Sequence, residues 1–369
     1  MKSAKQRIMS ACARRLVRGA MLPTVAGLLA FGSGAALAAD GVAPGDTSGK
    51  KIAFSNSFAG NSFRQVMVKS WQEVTAKAIQ DKIIAGATVV SANNNPTEQA
   101  SQVQNMILEG YNAIAILAGS DTALNGVVKD ACDAGITVVA FAGVVTEPCA
   151  YVVDYNWSSY GQQEVDYVAK KLGGKGNLLE IRGIAGDSVD KAISEGIHAA
   201  VAKYPDIKIV GTVYGQWTAT TAQKEVATIL PSLPQVDAVV DQGGDGFGAA
   251  QAFKAAGRPM PIIVMGNRQD ELAWWLKEKD ANGYSTFSIS ATPSVSQVAF
   301  WVAQQILAGK SVPKKIEVPL LRIDDSTAAA WLKATPEGGV ANPLYAQDLV
   351  AKIIDANAGG SPLPAIPAP

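Results

Sequence analysis

The chain has 369 residues, 48% of them hydrophobic, with 32 basic and 32 acidic side chains. That is enough apolar material for two ordinary domains, each with its own core. Without the six cations of the N-terminal leader, 26 basic face 32 acidic residues, a net charge near −6, which argues against nucleic acid or an anionic membrane surface as partner.

The chain opens with Lys2, Lys5, Arg7, Arg14, Arg15 and Arg18 and no acidic residue. An apolar stretch over 21–37 follows and closes on Ala36-Leu37-Ala38, a small-residue cleavage pattern. Residues 1–38 are therefore read as a signal peptide cut after Ala38. Pro23, Gly27, Gly32 and Gly34 interrupt the stretch, leaving it short of the roughly 20 apolar residues of a membrane span. Arg14-Arg15 matches twin-arginine export poorly, and the export route stays open. Residues 39–50, rich in Gly, Pro, Ser and Asp, read as a linker.

A first run of alternating elements begins at Lys51. Strand Lys51–Phe54 leads to a helix over 62–80, where Phe63, Val66, Met67, Trp71, Val74 and Ala78 share one face. Strand Ala87–Val90, a helix opened by Pro96-Thr97, strand Ala113–Leu117, helix Thr122–Ala134 and strand Ile136–Phe141 follow. After Tyr151-Val152-Val153 the alternation restarts with helix Ser158–Leu172, and it continues to a long helix over 293–307. Short, continuously apolar strands separated by helices predict parallel sheets covered on both faces. Right-handed crossovers then favour two doubly wound α/β lobes. In such sheets ligands sit beyond the carboxyl ends of the strands. The Gly/Pro-rich end, 359–369, reads as a disordered tail.

Two cysteines remain after the leader, Cys132 and Cys149. An exported protein meets an oxidising compartment, which allows them to pair. The alternative is two free buried thiols.

Catalytic signals are poor. The one histidine, His198, lies on a predicted helix with no partner in sight, and neither G-x-S-x-G nor H-E-x-x-H occurs. Gly244-Asp245-Gly246-Phe247-Gly248-Ala249 fits G-x-G-x-x-A. However, the acidic residue expected at the end of the next strand is replaced by Asn267-Arg268. Neither a cofactor nor a metal is expected. The residues after strands are more telling: Asn61, Phe63 and Arg64 after the first, Asn156 after the segment 151–153 that enters the second run, then Trp217, Asp241, Gln242 and Arg268. Aromatic faces with fixed amides, carboxylates and guanidiniums suit a sugar's C–H faces and hydroxyls. Each has a plainer reading: Asn61 and Asn156 as helix caps, Phe63 as core, Trp217 as packing between helices. Trp71, Trp274, Trp275 and Trp301 lie inside helices and read as core.

With Ser57, Asn61-Ser62-Phe63, Asn94-Asn95-Pro96, Ala134-Gly135-Ile136-Thr137-Val138-Val139 and Gly183-Ile184-Ala185-Gly186 in place, residues 51–318 resemble the periplasmic sugar-binding proteins of ABC transporters, ribose-binding type. The resemblance implies two lobes joined by a three-segment hinge near 153–155, 290–292 and 320–323. The N-terminal lobe is then 51–153 plus 292–320, and the C-terminal lobe 154–291 plus 321–358. It implies a monomer that closes on a sugar, polyol or sugar acid in the periplasm and delivers it to a membrane permease. It carries ligand roles onto Asn61, Phe63 and Trp217. Arg64, Ala142-Gly143, Ile193, Arg268 and Ala291 depart from the ribose pattern, which puts D-ribose itself in doubt. Arg64 and Arg268 suggest a sugar acid as one candidate. A secreted carbohydrate-acting enzyme and a chemotaxis or signalling receptor are the rival readings.

Overall fold

The computed structural model describes residues 41–60 and 62–369. The expected signal peptide and Asn61 lie outside the described residues. Among those described, no helix is long and apolar enough to cross a membrane.

The first run contains β1 (Lys51–Asn56), α1 (Ser62–Gln80), β2 (Gly86–Ser91), α2 (Pro96–Leu108), β3 (Ala113–Leu117), α3 (Asn125–Asp133), β4 (Thr137–Phe141) and β5 (Tyr151–Asp154). The second contains α4 (Trp157–Lys171), β6 (Lys175–Arg182), α5 (Ser188–Val201), β7 (Asp206–Tyr214), α6 (Ala219–Ile229), β8 (Ala238–Asp241), α7 (Gly246–Ala255), β9 (Ile262–Ile263) and α8 (Gln269–Asn282). Then come β10 (Ser288–Ser290), α9 (Val295–Leu307), β11 (Lys315–Glu317), β12 (Leu321–Ile323), α10 (Ala328–Ala334) and α11 (Gln347–Gly359).

Two parallel sheets result. The first has the order β11-β5-β4-β3-β1-β2, the second β7-β6-β8-β9, and β10 pairs antiparallel with β12. The order reverses at β1/β3 in the first sheet and at β6/β8 in the second, the switch points at whose carboxyl ends open α/β sheets generally bind ligands. The strands of the first sheet are apolar runs because both faces are covered. Phe54 meets Trp71 and Phe141 at 5.1 Å between ring centroids, and Trp71 meets Phe300 of α9 edge-on at 5.6 Å. The second sheet buries Phe253, Trp275 and Trp331 on one face and Tyr160, Ile197 and Phe287 on the other. All four helix tryptophans named above are core residues.

The chain passes between the sheets after β5, between β10 and α9, and between β11 and β12. In addition it passes back once more. Helix α10 packs on α8, whereas α11 packs on α9 and β11. Val350, Ile353 and Ile354 belong to the first core, which corrects the expectation that 321–358 stays with the second sheet. The tail is corrected too: Leu363 packs on the first core and Ile366 touches both. Residues 41–50 are docked rather than a loose linker. Gly41 N donates to Asp355 Oδ2 (2.8 Å), Ala43 N to Gln305 Oε1 (2.8 Å), and Lys310 Nζ to Gly41 O (2.6 Å). Isolated polar tethers of this kind leave no periodic pattern to read.

Cys132, at the end of α3, is disulfide-bonded to Cys149, with Cα atoms 6.3 Å apart. Closing a loop of this length contributes about 3 kcal/mol in the chain-entropy account.

Candidate functional site

The crevice of the second sheet is built around Arg268, the residue before α8. Its Nη2 donates to Trp217 O at 3.0 Å. A Cβ on Gly244 would lie 2.2 Å from Arg268 Nε, so only glycine leaves room for the guanidinium there. Gly244 also has φ +88°, a left-handed conformation that favours glycine. Trp217 itself and Gln216 have φ near +55°, an uncommon backbone for bulky residues and a mark of functional constraint. The turn lays the indole on Gly183: a Cβ there would sit 2.4 Å from the ring. Trp217 is thus half-buried beside the end of β6.

Behind Arg268 lie buried carboxylates. Glu271 Oε1 accepts from Gly246 N (3.2 Å) and Gly266 N (3.1 Å), and its Oε2 accepts from Arg268 N (3.1 Å). Burial raises the Glu271 carboxyl, while Arg268 and these N–H groups pull it back. Asp241 ends β8; its Oδ1 accepts from Gly243 N at 2.6 Å, and its buried Oδ2 has no hydrogen-bond partner. Burial, then the Glu271 charge, pushes Asp241 well above the carboxylate range, with Arg268 opposing. Asp245, next in the loop, is raised by burial and by Asp241 and Glu271. Glu164 of α4 is raised by burial and by Asp241. The Tyr160 hydroxyl, fully buried, lies among them and has no hydrogen-bond partner.

On the other side, Phe63 is half-buried against the first core, so the plainer packing reading accounts for much of its contact. Arg64 projects from the first turn of α1. Burial lowers its guanidinium to about 10, and the charge of Asp187 raises it. Asp187 caps α5 in the second half, accepting from Val189 N at 2.7 Å and Asp190 N at 3.3 Å. The charge of Asp187 in the second half therefore reaches Arg64.

Two of the expected ligand residues are engaged by the framework. Gln242 is spent on the framework: Oε1 accepts from Gly183 N (3.1 Å), and Nε2 donates to Asp190 O and Oδ1 (3.0 Å each). That network also holds the Arg182–Asp190 ion pair, at 2.6 Å. Asn156 is the cap of α4, accepting from Ser159 N at 3.0 Å, and its Nδ2 reaches Glu317 at 3.5 Å. An amide after a strand satisfies backbone as readily as ligand, and here the local N–H groups take it. The structure thus brings together Trp217, Asp241 and Arg268 on one side and Phe63 and Arg64 on the other. Sequence reasoning missed Glu164, Asp245 and Glu271. Glu271, three residues beyond Arg268, was visible as a first-turn acidic residue able to reach back to that backbone. His198 is 59% exposed at its side chain and contacts Glu180 at 3.2 Å. Gly248 lets α7 approach Ala219, where a Cβ would meet the carbonyl oxygen at 2.0 Å, so the Gly-rich segment serves helix packing. Among the described residues no His/Cys/Asp/Glu group could hold a metal ion.

Two parallel sheets, each with a strand-order reversal, have the architecture of two-lobed periplasmic binding proteins. Residues 52–311 match the periplasmic binding protein domain, and the chain belongs to that family. It is 37% identical over 186 residues to a xylitol-binding protein of Mycolicibacterium smegmatis, a match covering 49% of this chain and about half, 53%, of that protein. It is 25% identical over 283 residues to the ribose import binding protein of Bacillus subtilis, covering 75% and 89% of the two chains. The crystal structure of an ABC transporter solute binding protein from Thermobispora bispora superposes with a TM-score of 0.75 at 34% identity, covering 87% of this chain and 99% of that one. These relatives are substrate-binding proteins rather than enzymes, and the enzyme reading is set aside.

Proposed function

We propose that this protein captures a neutral polyol or small sugar in the periplasm and hands it to an ABC-transporter permease. The observation that carries the ligand class is charge compensation. Arg268 stands before Asp241, Asp245 and Glu271, whose electrostatic influence includes that guanidinium. Arg64 stands before Asp187. A ligand carboxylate would have to compete with Glu271, held by three N–H donors, for Arg268 and with Asp187 for Arg64, whereas hydroxyls can accept from the guanidiniums and donate to the acids. This favours a neutral ligand over the sugar acid that the two arginines alone suggest. The xylitol-binding relative, itself a binder of a neutral polyol by its name, points the same way.

In this reading the residues around β1–β5 with α9 and those around β6–β9 form two lobes, and the passages between them act as a hinge. Ligand favours closure because it bridges both sides, with Trp217 and Arg268 on one and Arg64 on the other. The 1–38 leader directs export and is removed. The mature protein acts as a monomer, needs no cofactor, and presents its closed form to the permease.

A thermal-shift screen of mature, ligand-stripped protein tests this, because a ligand that binds only the folded state raises the melting temperature. Shifts with xylitol or related pentitols and pentoses are expected. A shift confined to sugar acids would overturn the charge argument. No shift with any polyol or sugar would overturn the ligand class.

A further inference from the structure

We propose that residues 339–345 form a strap, a fourth connection between the two halves that positions the loop carrying Arg268 and ties that position to closure. The inference rests on the binding reading above for its link to ligand.

On the second side the strap runs beside the β9–α8 loop. Val340 forms an antiparallel bridge with Arg268. Gln269 N donates to Gly339 O at 3.1 Å, and Ala341 N donates to Asn267 O at 2.8 Å. The side chain of Asn267, only 3% exposed, closes the junction. Its Nδ2 donates to Ala291 O at 3.2 Å and approaches Ala341 O at 3.4 Å. Ala291 lies in the passage between β10 and α9. One amide therefore clasps the strap and a hinge passage to the residue preceding Arg268.

The next residue is already anchored on the other side. Asn342 Nδ2 donates to Ser70 Oγ of α1 at 2.8 Å. Tyr345 is fully buried in the first core; its N–H donates to Gln297 Oε1 and its carbonyl accepts from Trp301 Nε1, each at 2.9 Å. Helix α1 is the one that carries Phe63 and Arg64.

Consecutive Cα atoms are held about 3.8 Å apart. Anchors at 341 and 342 thus pin the two halves together at this point, and they can turn about it but not separate. Opening must be absorbed by the backbone dihedrals at 341 and 342, as at a hinge. Motion of α1 is transmitted directly to the backbone of Asn267 and Arg268. Loosening either anchor removes this point of attachment, leaving the other three passages to join the halves, and lets Arg268 leave its ligand-ready position.

The test uses the full mature chain with spin labels at Lys129→Cys on α3 and Lys224→Cys on α6, both exposed. Ala341→Pro removes the donor to Asn267, and Asn342→Ala removes the tie to Ser70; the second keeps the test open if the proline variant does not fold. In ligand-free protein each variant is expected to shift the inter-label distances towards longer values. Affinity for xylitol is expected to fall roughly tenfold, through faster dissociation. Folded variants with the wild-type distance distribution and wild-type xylitol affinity would overturn the proposal. Longer distances with unchanged affinity would keep the pivot and overturn the positioning of Arg268. If wild-type protein binds no xylitol, that counts against the ligand reading alone, and the ligand-free distances still decide the strap.

Discussion

The two faces of the crevice are built from different polar chemistry. At the ends of β1 and β3 the buried amides and hydroxyls of Gln99, Asn56 and Ser55 are neutral and bond to backbone groups and hydroxyls nearby. Gln99 Nε2 donates to Leu117 O (2.9 Å) and Ser55 Oγ (3.2 Å), while its Oε1 accepts from Gly119 N (2.9 Å). Asn56 Nδ2 donates to Phe58 O (2.8 Å) and Ser91 Oγ (3.1 Å). At the ends of β6 and β8 the buried groups are carboxyls gathered behind one guanidinium. Amides and hydroxyls keep the same donors and acceptors at any ordinary pH. Carboxyls change role with protonation: ionised they only accept, protonated they also donate. The first face is thus a fixed template, and the second is one whose polarity depends on how many protons it holds. A polyol, whose hydroxyls both donate and accept, is suited to both.

The comparison predicts its largest effect at Glu271. Glu271→Ala would leave the N–H groups of Gly246, Gly266 and Arg268 without their acceptor. Such losses in a buried charged network cost about 3–5 kcal/mol, read as a fall in unfolding free energy in urea. Glu271→Gln, which keeps one acceptor oxygen, should lose less. A loss under about 1 kcal/mol for the alanine variant would mean that the carboxyls of the second face are not its structural keystone. At Gln99, the counterpart in the first face, Gln99→Ala removes these neutral hydrogen bonds. It should cost about 1–3 kcal/mol, equally at pH 5 and pH 8. A pH-dependent cost there would erase the distinction between the faces.

The same contrast explains what was legible in the sequence. Runs such as Ala113–Leu117 announce buried parallel strands, and the rule that ligands sit beyond strand ends drew attention to Trp217 and Arg268, which the structure joins by a hydrogen bond. The neutral face is harder to see because Gln99 lies on a helix and reads as solvent-facing. Glu164 and Glu271 were missed for that reason too: only the packing of α4 and α8 beside β8 gathers them around Asp241. Gln242 and Asn156 sit where ligand residues were expected, but unpaired backbone N–H groups nearby use them first. At the C-terminus, Leu363 and Ile366 dock singly, without period, so a segment that reads as a disordered tail proves to be tied to both cores, and Tyr345, read with the second lobe, is buried in the first core.

Between the faces, at the first passage, one carboxyl belongs to neither. Asp154 ends β5; its Oδ1 accepts from Tyr155 N at 2.9 Å and Trp157 Nε1 at 3.0 Å, and its carbonyl accepts from Val318 N at 2.9 Å. Burial raises its pKa from 3.8 to about 6, against the pull of those two donors. Because the folded value lies above the unfolded one, the folded state holds the extra proton between pH about 4 and 6. On this account stability is full below that window, declines as pH rises through it, and is constant above, by something on the order of 2–3 kcal/mol. Asp241, Asp245 and Glu164 are raised as well, so the wild-type curve alone does not isolate Asp154. Asp154→Asn keeps the acceptor for Tyr155 and Trp157 and removes the charge. The variant should match wild type near pH 4 and exceed it in urea at pH 7. A difference that stays constant from pH 4 to 7 would assign the whole pH dependence to the carboxyls of the second face, leaving the hinge passage without a titrating group.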